Sequence, residues 1–261
     1  TSMNRGSRSS GRAASTAGLN RSVWPTASTT PAANENRTPD EGLSYAVVGK
    51  QPALSPRSTA KREPLPPAEI GAGTIVSTGA VVFAGTTIGA RVILGDQSCV
   101  RERVTIGDDV VLGRGSLIEN DTTVGALTKI QAGAYITAYS TLEDNVFIAP
   151  CVVTTNDNFM GRTERRHALL RGATIRRGAR VGGAVVLCPG VEVGAEAFIG
   201  AGAVVTQDVP AGKVLVGVPA RVLRDVPDDE LRAAVSRFEK RLTDVAVDLS
   251  GSIPPCATCE H

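Results

Sequence analysis

The sequence predicts an all-β protein built as a parallel β-helix, in which short strands stack in successive coils. The first observation is a six-residue period in the central chain. An aliphatic residue returns at Ile70, Val76, Val82, Ile88, Leu94, Val100, Ile106, Leu112, Ile118, Val124, Ile130, Ile136, Leu142 and Ile148. The second is the return of this period after a break, at Ile175, Val181, Leu187, Val193, Ile199 and Val205. A fixed period of six is typical of a parallel β-helix, because each hexad forms one short strand and one turn.

Each hexad is completed by a small or branched residue four positions after the aliphatic one, such as Thr86, Val92 and Ser98. The aliphatic side chain points inward, and the later position has room for little volume. Glycine often opens the turn, as at Gly107 and Gly125, and we expect it there because it tolerates backbone conformations that other residues avoid. Three hexads make one triangular coil, so the sequence predicts about seven coils stacked about 4.8 Å apart.

Composition divides the chain into further segments. Residues 1–42 contain too few apolar residues to form a core, which predicts a disordered arm. Residues 43–69 are expected to form an extended cap on the first coil, and residues 70–210 the β-helix. Residues 211–248 form a C-terminal extension with an α-helix at 227–243, since Leu231, Val235, Phe238 and Leu242 fall on one helical face. Residues 249–261 are expected to be a flexible tail.

Charge and cysteine usage exclude several classes of partner. A net charge of +2 gives no reason to expect nucleic-acid binding, and the chain has neither an apolar run of membrane-spanning length nor a signal-peptide core, which predicts a cytoplasmic protein. Cys256 and Cys259 form one C-x-x-C pair without the second half of a zinc site. Because His167 and His261 are the only histidines, a three-histidine zinc centre is excluded and no metal is expected.

The break in the period marks the first place to look for chemistry. The spacing from Thr154 to Ile175 is 21 residues, which is not a multiple of six, so residues 155–172 must leave the prism as a loop and return. Insertions in repeat proteins form loops on one face, and this is often the binding face.

The six-residue period with its small fifth positions resembles the hexapeptide-repeat acyltransferases over about residues 70–223. This resemblance implies a left-handed β-helix. A narrower resemblance is to the nucleotide-sugar N-acetyltransferases, which modify a 3-amino group on a hexose or hexuronate carried by UDP or dTDP. It rests on Ile130-Gln131, Leu142-Glu143-Asp144, Val146-Phe147, Pro150 and Thr155-Asn156.

The resemblance implies a homotrimer with active sites between subunits and acetyl-coenzyme A as the acyl donor, lying along a prism edge. Asn156 matches the asparagine that contacts the acceptor amine, and Asp157 is placed to orient or deprotonate that amine. The alternative for both residues is a turn that opens the loop. Predicted contacts to coenzyme A are Gly182, Gly183, Gly200, Ala201, Ala203 and Arg221.

Other residues of the loop and of the turns are predicted to contact the substrate or to act as a base, and each prediction has an alternative. Predicted substrate contacts are Glu143, Gln131, Asn158, Arg162 and Arg165, with the arginines directed at phosphates or simply solvated. His167 is the candidate base if the acceptor is a hydroxyl, which gives O-acetyl transfer as the second hypothesis. The alternatives for His167 are a phosphate contact and a solvated loop residue. The third hypothesis is a non-catalytic trimeric scaffold, because a β-helix alone does not define an enzyme.

Overall fold

The computed structural model describes residues 45–54, 56 and 63–231. Its strands, in chain order, are β1 (Val47–Lys50), β2 (Glu69–Ile70), β3 (Ile75–Val76), β4 (Val81–Phe83), β5 (Thr87–Ile88), β6 (Ile93–Leu94), β7 (Cys99–Val100), β8 (Thr105–Ile106), β9 (Val111–Leu112), β10 (Leu117–Ile118), β11 (Thr123–Val124), β12 (Lys129–Ile130), β13 (Tyr135–Ile136), β14 (Thr141–Leu142), β15 (Phe147–Ile148), β16 (Val153–Thr154), β17 (Thr174–Ile175), β18 (Arg180–Val181), β19 (Val186–Leu187), β20 (Glu192–Val193), β21 (Phe198–Ile199), β22 (Val204–Val205), β23 (Lys213–Val216) and β24 (Arg221–Asp225). Two short 3-10 turns cover Glu164–Ala168 and Asp228–Glu230.

These strands form three parallel sheets that wind as a β-solenoid of about eight coils, which confirms the predicted fold class. Sheet 1 has the order β1-β4-β7-β10-β13-β16-β19-β22, and sheet 2 has the order β2-β5-β8-β11-β14-β17-β20. Sheet 3 has the order β3-β6-β9-β12-β15-β18-β21-β23-β24, with β24 antiparallel to β23. We name the turns by the sheets that they join: corner 1–2, corner 2–3 and corner 3–1.

The predicted aliphatic ladder is the core of the solenoid. The second residue of most strands points inward, and Ile118, Ile130 and Ile136 are fully buried. Strands pair in register with the strand one coil later, so that Val100 lies opposite Ile118. The small fifth position also has a polar use, because buried Thr86 donates its hydroxyl to the carbonyl of Arg101 at 2.8 Å. Residues 18 apart in the sequence are therefore neighbours along one corner of the prism.

Glycine is needed at the start of a turn for a steric reason. We had expected it there because it tolerates unusual backbone conformations, but this is not the cause. Gly125 has an ordinary φ angle, but a Cβ at this position would lie 2.5 Å from the backbone nitrogen of Asp144 in the next coil. The left-handed conformation occurs two residues later and does not require glycine, since Leu127 adopts it with φ 60°. Glycine therefore allows successive coils to approach each other.

The outward-facing residues give the three sheets different surfaces. Sheet 2 presents mainly threonine: Thr87, Thr105, Thr123, Thr141 and Thr174, with Glu69 and Glu192 at its ends. Sheet 1 presents an apolar face: Val81, Cys99, Leu117, Tyr135, Val153, Val186 and Val204. Sheet 3 is mixed, because it includes Lys129 and Arg180 among its apolar residues. Sheet 1 therefore forms an apolar outer face of the prism.

Several predicted segments lie outside the described residues. These are the arm at 1–42, most of the helix at 227–243, and the tail at 249–261 with Cys256 and Cys259. At the described start of the helical segment, Asp228–Glu230 forms a single 3-10 turn, and Leu231 after it is extended. No helix among the described residues is long and apolar enough to cross a membrane.

Candidate active site

The inserted loop leaves the solenoid at corner 1–2, between β16 and β17, and forms one wall of an open groove of about 300 Å³. The groove is lined by Glu119, Asn120, Tyr135, Thr137, Ala138, Tyr139, Asn156, Asp157, Arg166 and Leu170. Two of the predicted catalytic residues, Asn156 and Asp157, therefore lie in one cavity. Carboxamide, phenol, hydroxyl and carboxylate groups converge there on a small volume.

Coil stacking explains how these residues meet. Glu119, Thr137 and Thr155 occupy equivalent positions in successive coils at corner 1–2, and so do Asn120, Ala138 and Asn156. The backbone N–H of Thr137 donates to Oγ1 of Thr154 at 2.8 Å, which ties the two coils together directly beneath the loop. The regular repeat thus supplies the floor of the groove, and the insertion supplies its wall.

Asn156 is half-buried at the point where the chain leaves the prism. Its side-chain NH₂ donates a long hydrogen bond, 3.4 Å, to the carbonyl of Ala138. The backbone carbonyl of Asn156 accepts a hydrogen bond from the backbone N–H of Arg171 at 3.0 Å, so the two ends of the loop are joined at this residue. No donor in the described part of the chain hydrogen-bonds to its side-chain oxygen. A weakly held carboxamide facing a groove suits contact with a polar acceptor.

Asp157 is fully engaged in holding the loop. Its carboxylate accepts hydrogen bonds from the backbone N–H groups of Phe159 at 2.8 Å and Gly161 at 2.9 Å, and from Arg166 at 3.2 Å. The hydrogen bond from Gly161, with those from Phe159 and Arg166, lowers the pKa of Asp157 below its ordinary value, against the opposing effect of burial. This geometry is that of the turn-forming alternative, and it makes the carboxylate a poor base.

The other predicted loop residues lie outside the groove lining. His167 is on the 3-10 turn Glu164–Ala168, with its Nε2 3.7 Å from the carboxylate of Glu164. The guanidinium carbon of Arg165 lies 5.2 Å from the centre of the Phe159 ring. Asn158 and Arg162 are exposed. Arg166, rather than Arg162 or Arg165, is the loop arginine that reaches the groove.

Glu143 lies at a different corner of the same protomer, corner 2–3. It accepts hydrogen bonds from Arg176 and from the backbone N–H of Arg177, both at 2.9 Å, and Arg176 in particular lowers the pKa of Glu143. A second open groove at this corner, about 490 Å³, is larger than the first. Its Arg176 is already paired with Glu143 and Glu192, so that the guanidinium has little capacity left for an anion.

Gln131 and most of the predicted coenzyme A contacts lie at the third corner, corner 3–1, where Gly182, Gly183, Gly200 and Ala201 follow strands of sheet 3. A Cβ on Gly182 would come within 2.6 Å of the nitrogen of Ala201, so coil stacking alone accounts for this glycine. Gly183 has no such neighbour, since its Cβ would meet only the carbonyl of Pro150 at 3.5 Å. Ala203 is buried just before β22, and Arg221 in β24 donates to the carbonyl of Ala220.

Sequence reasoning missed Glu119, Tyr135, Thr137 and Tyr139. The sequence signal that could have found them is the 18-residue length of one coil. Counting back by 18 residues from Thr155 at the start of the loop gives Thr137 and then Glu119, at the same corner. Burial, with the negative charge of Glu119 as a further cause, raises the pKa of Tyr135, so its phenol stays neutral. No group of three or more His, Cys, Asp or Glu side chains in the described part of the chain is arranged to hold a metal ion.

Comparison with known proteins shows that part of the repeat is similar to acetyltransferases. The chain is 38% identical over 91 residues to galactoside O-acetyltransferase of Escherichia coli (strain K12), which is 34% of this chain and 45% of that protein. It is 48% identical over 48 residues to 2,3,4,5-tetrahydropyridine-2,6-dicarboxylate N-acetyltransferase of Staphylococcus aureus (strain JH9), which is 18% of this chain and 20% of that protein. The chain thus spans less than half of the length of these curated relatives. No family model matches it.

Among solved structures, a hexapeptide-repeat acetyltransferase from Vibrio cholerae is 27% identical, with 52% of this chain and 74% of that chain covered and a TM-score of 0.36. The six-residue ladder and the three stacked sheets define a hexapeptide-repeat protein. Its repeat is similar to that of the acetyltransferases named above.

Proposed function

We propose that this protein transfers an acetyl group from acetyl-coenzyme A to an amine of a nucleotide-linked sugar, as a cytoplasmic homotrimer with active sites between subunits. The observation that carries the proposal is the position of Asn156, whose carboxamide lines a groove at the only long insertion in the described repeat. Both local relatives named above are acetyltransferases, one acting on oxygen and one on nitrogen.

In this proposal, Asn156 performs the chemistry through its carboxamide. The side-chain oxygen accepts a hydrogen bond from the attacking amine, and the NH₂ group donates to the negative charge that develops on the thioester oxygen. Asp157 and Arg166 keep the loop in place around the acceptor. The amine nitrogen forms the amide bond as the thioester C–S bond breaks, coenzyme A leaves as its thiolate, and the proton that the amine loses passes to this thiolate through solvent. Amine nitrogen is a stronger nucleophile than hydroxyl oxygen, so the reaction needs less assistance from a base.

The residues at corner 3–1 fit the pantetheine arm of acetyl-coenzyme A. Ala201 and Gly202 are exposed, and a Cβ on Gly202 would meet nothing within 4 Å, so a narrow chain has access to the backbone there. The bound coenzyme would supply the activated acetyl group as a thioester. Gly182 and Gly183 occupy the equivalent turn one coil earlier.

A homotrimer accounts for the separation of these corners within one protomer. Corner 1–2 with the groove and corner 3–1 with the predicted coenzyme contacts both border sheet 1, whose outward face is apolar. Packing of this face against a second copy removes apolar side chains such as Leu117 and Val153 from water. It also places both corners at a subunit boundary, where the groove of one protomer meets a neighbour.

O-acetyl transfer is the second candidate, because the curated relative with the longest match named here acts on a galactoside oxygen. It requires a base, and His167 is outside the groove lining and 39% exposed. Within one protomer, His167 is therefore not placed to act on an acceptor in this groove. The alternatives separate when the purified protein is incubated with acetyl-coenzyme A and matched amino and hydroxy sugars, free and nucleotide-linked, while release of coenzyme A thiol is followed. Acetylation confined to hydroxyl acceptors would reverse the assignment, and absence of any acetyl transfer would favour a scaffold.

A further inference from the structure

Three charged side chains line the groove: Glu119, Asp157 and Arg166. Asp157 and Arg166 are paired with each other at 3.2 Å. Since this pair carries no net charge, the electrostatic character of the groove depends on Glu119 and on the groups that surround it.

Glu119 is bound to an arginine whose charge is already matched. Arg101 donates from Nε and Nη2 to the two oxygens of Glu102 at 2.9 and 3.2 Å, and from Nη1 to Glu119 at 3.2 Å. Glu102 is 6% exposed and Glu119 is 19% exposed. One guanidinium therefore serves two carboxylates, so the cluster Glu102–Arg101–Glu119 contains one more acidic than basic side chain.

No other cation in the described part of the chain forms an ion pair with Glu119; Arg103 interacts electrostatically with Glu102 but is paired with Asp121 at 2.7 Å. Lys50 is nearby, but its ammonium lies 5.1 Å from the centre of the Phe83 ring and forms no ion pair with either carboxylate. Glu119 interacts with Arg101 and with the hydroxyl of Tyr135, but it shares the arginine with Glu102, and a partly buried carboxylate without a full counter-charge is costly because protein replaces some of its hydration. A ligand that brings a positive charge to the groove removes this cost.

The groove walls fit the same kind of ligand. Tyr135 and Tyr139 border the cavity beside Glu119, and phenol rings attract ammonium groups through their faces. The neutral carboxamides of Asn120 and Asn156 are suited to hydroxyl groups on the same molecule. A hydroxyl in place of the ammonium brings no charge to Glu119.

We infer that Glu119 is the specificity-determining residue of the groove and that it binds a protonated amine of the acceptor. The inference rests on the proposed function and deepens it, because it names the group by which the acceptor is selected. Glu119 and Thr155, the neighbour of Asn156, are two coils apart, which is about 10 Å along the corner. A hexose with its substituents fits between the two. Because a protonated amine cannot attack a thioester, the ammonium held by Glu119 is a second amino group of the acceptor, separate from the amine that Asn156 contacts.

The test compares glucosamine, 3-amino-3-deoxyglucose and glucose as probes. Each is titrated into the full-length protein without acetyl-coenzyme A, and binding is measured by ligand-observed NMR. We expect the protein to bind at least one amino sugar about tenfold more tightly than glucose, which corresponds to about 1.4 kcal/mol. Glu119→Gln should abolish this preference while leaving the affinity for glucose unchanged, and the two amino sugars show which position of the amine is bound.

Glu119→Gln preserves the shape of the residue, and Arg101 keeps its bidentate contact with Glu102, so the variant should fold. Asp96→Asn is the matched control, since it removes one negative charge at corner 3–1, away from the groove. Retained preference in Glu119→Gln, equal losses for glucose and the amino sugars, or absence of measurable binding to any probe would each overturn the inference. Because no acyl donor is present, a protein that discriminates between the sugars but transfers no acetyl group would refute only the proposed function.

Discussion

Arg166 donates to the carboxylate of Asp157 at 3.2 Å, and this contact joins the 3-10 turn of the inserted loop to the residue that starts the loop. Asp157 also accepts two backbone hydrogen bonds, so one side chain organises the first turn of the insertion. The groove wall therefore depends on a carboxylate that must remain ionised.

Acidification should open the loop before it affects the solenoid. The pKa of Asp157 is lower in the folded state than its unfolded value of about 3.9. Its stabilising contribution is thus fully present above that value and is lost as the pH falls through the lower, folded pKa. Limited proteolysis with pepsin between pH 4 and pH 2 should show early cleavage within 155–172. Asp157→Asn should be cleaved there already at pH 4, whereas Asp96→Asn should match the unmodified chain; equal rates for all three would contradict this role.

Asn156→Ala should abolish most of the acetyl transfer without disturbing the fold. We expect kcat to fall by about a hundredfold or more, as is typical when a donor to a developing oxyanion is removed. The measurement is release of coenzyme A thiol, with circular dichroism and light scattering as checks on structure. Thr123→Ala, on the outward face of sheet 2, serves as the control. Normal turnover by Asn156→Ala would remove this residue from the mechanism.

His167→Ala distinguishes the two acceptor classes. If the acceptor is an amine, kcat should change by less than about threefold, because the imidazole lies outside the groove lining. Loss of a general base for a hydroxyl acceptor would instead cost about a hundredfold or more. Rates at several pH values with the preferred acceptor decide between these outcomes, and a large loss would favour O-acetyl transfer.

Leu117→Lys should dissociate the proposed trimer. Its side chain points outward from β10 on the apolar face of sheet 1, and a charge there would be buried against the neighbouring copy. Light scattering coupled to size-exclusion chromatography should show the change in mass. Thr123→Lys adds the same charge on sheet 2, one strand later in the same coil, and should leave the assembly intact. An unchanged mass for Leu117→Lys would place the interface elsewhere.

Gly125→Ala should destabilise the solenoid through a steric clash. The new methyl group would lie 2.5 Å from the backbone of the next coil, and relief requires the coils to separate. We expect a loss of about 1–3 kcal/mol in the free energy of unfolding, or more. Gly183→Ala, whose methyl group meets only ordinary contacts, should be much milder. Urea unfolding of both variants provides the comparison; similar midpoints would contradict the steric explanation.

The fold could be predicted from the sequence because every hexad places one aliphatic residue at the same inward position of a short strand. The same period located Asn156, because this residue lies where the period is interrupted. Glu119 was overlooked because no local motif marks it. It reaches the groove only through coil stacking, since it lies 18 residues before Thr137 and therefore one coil away at the same corner. Resemblance alone did not place Glu143 and Gln131 relative to Asn156. They lie 13 and 25 residues before it, and because neither spacing is a multiple of 18, the three residues occupy different corners.

The reversal of direction at β24 has a consequence for solubility. A parallel β-helix ends in unpaired strand edges that invite a further chain to continue the stack. Here sheet 3 extends beyond its neighbours and ends with an antiparallel strand, whereas β22 and β20 are the last strands of sheets 1 and 2 in the described part of the chain. A second molecule that added a strand to β24 would be out of step with the other two sheets. The β23–β24 hairpin therefore disfavours end-to-end stacking at this edge of the described solenoid.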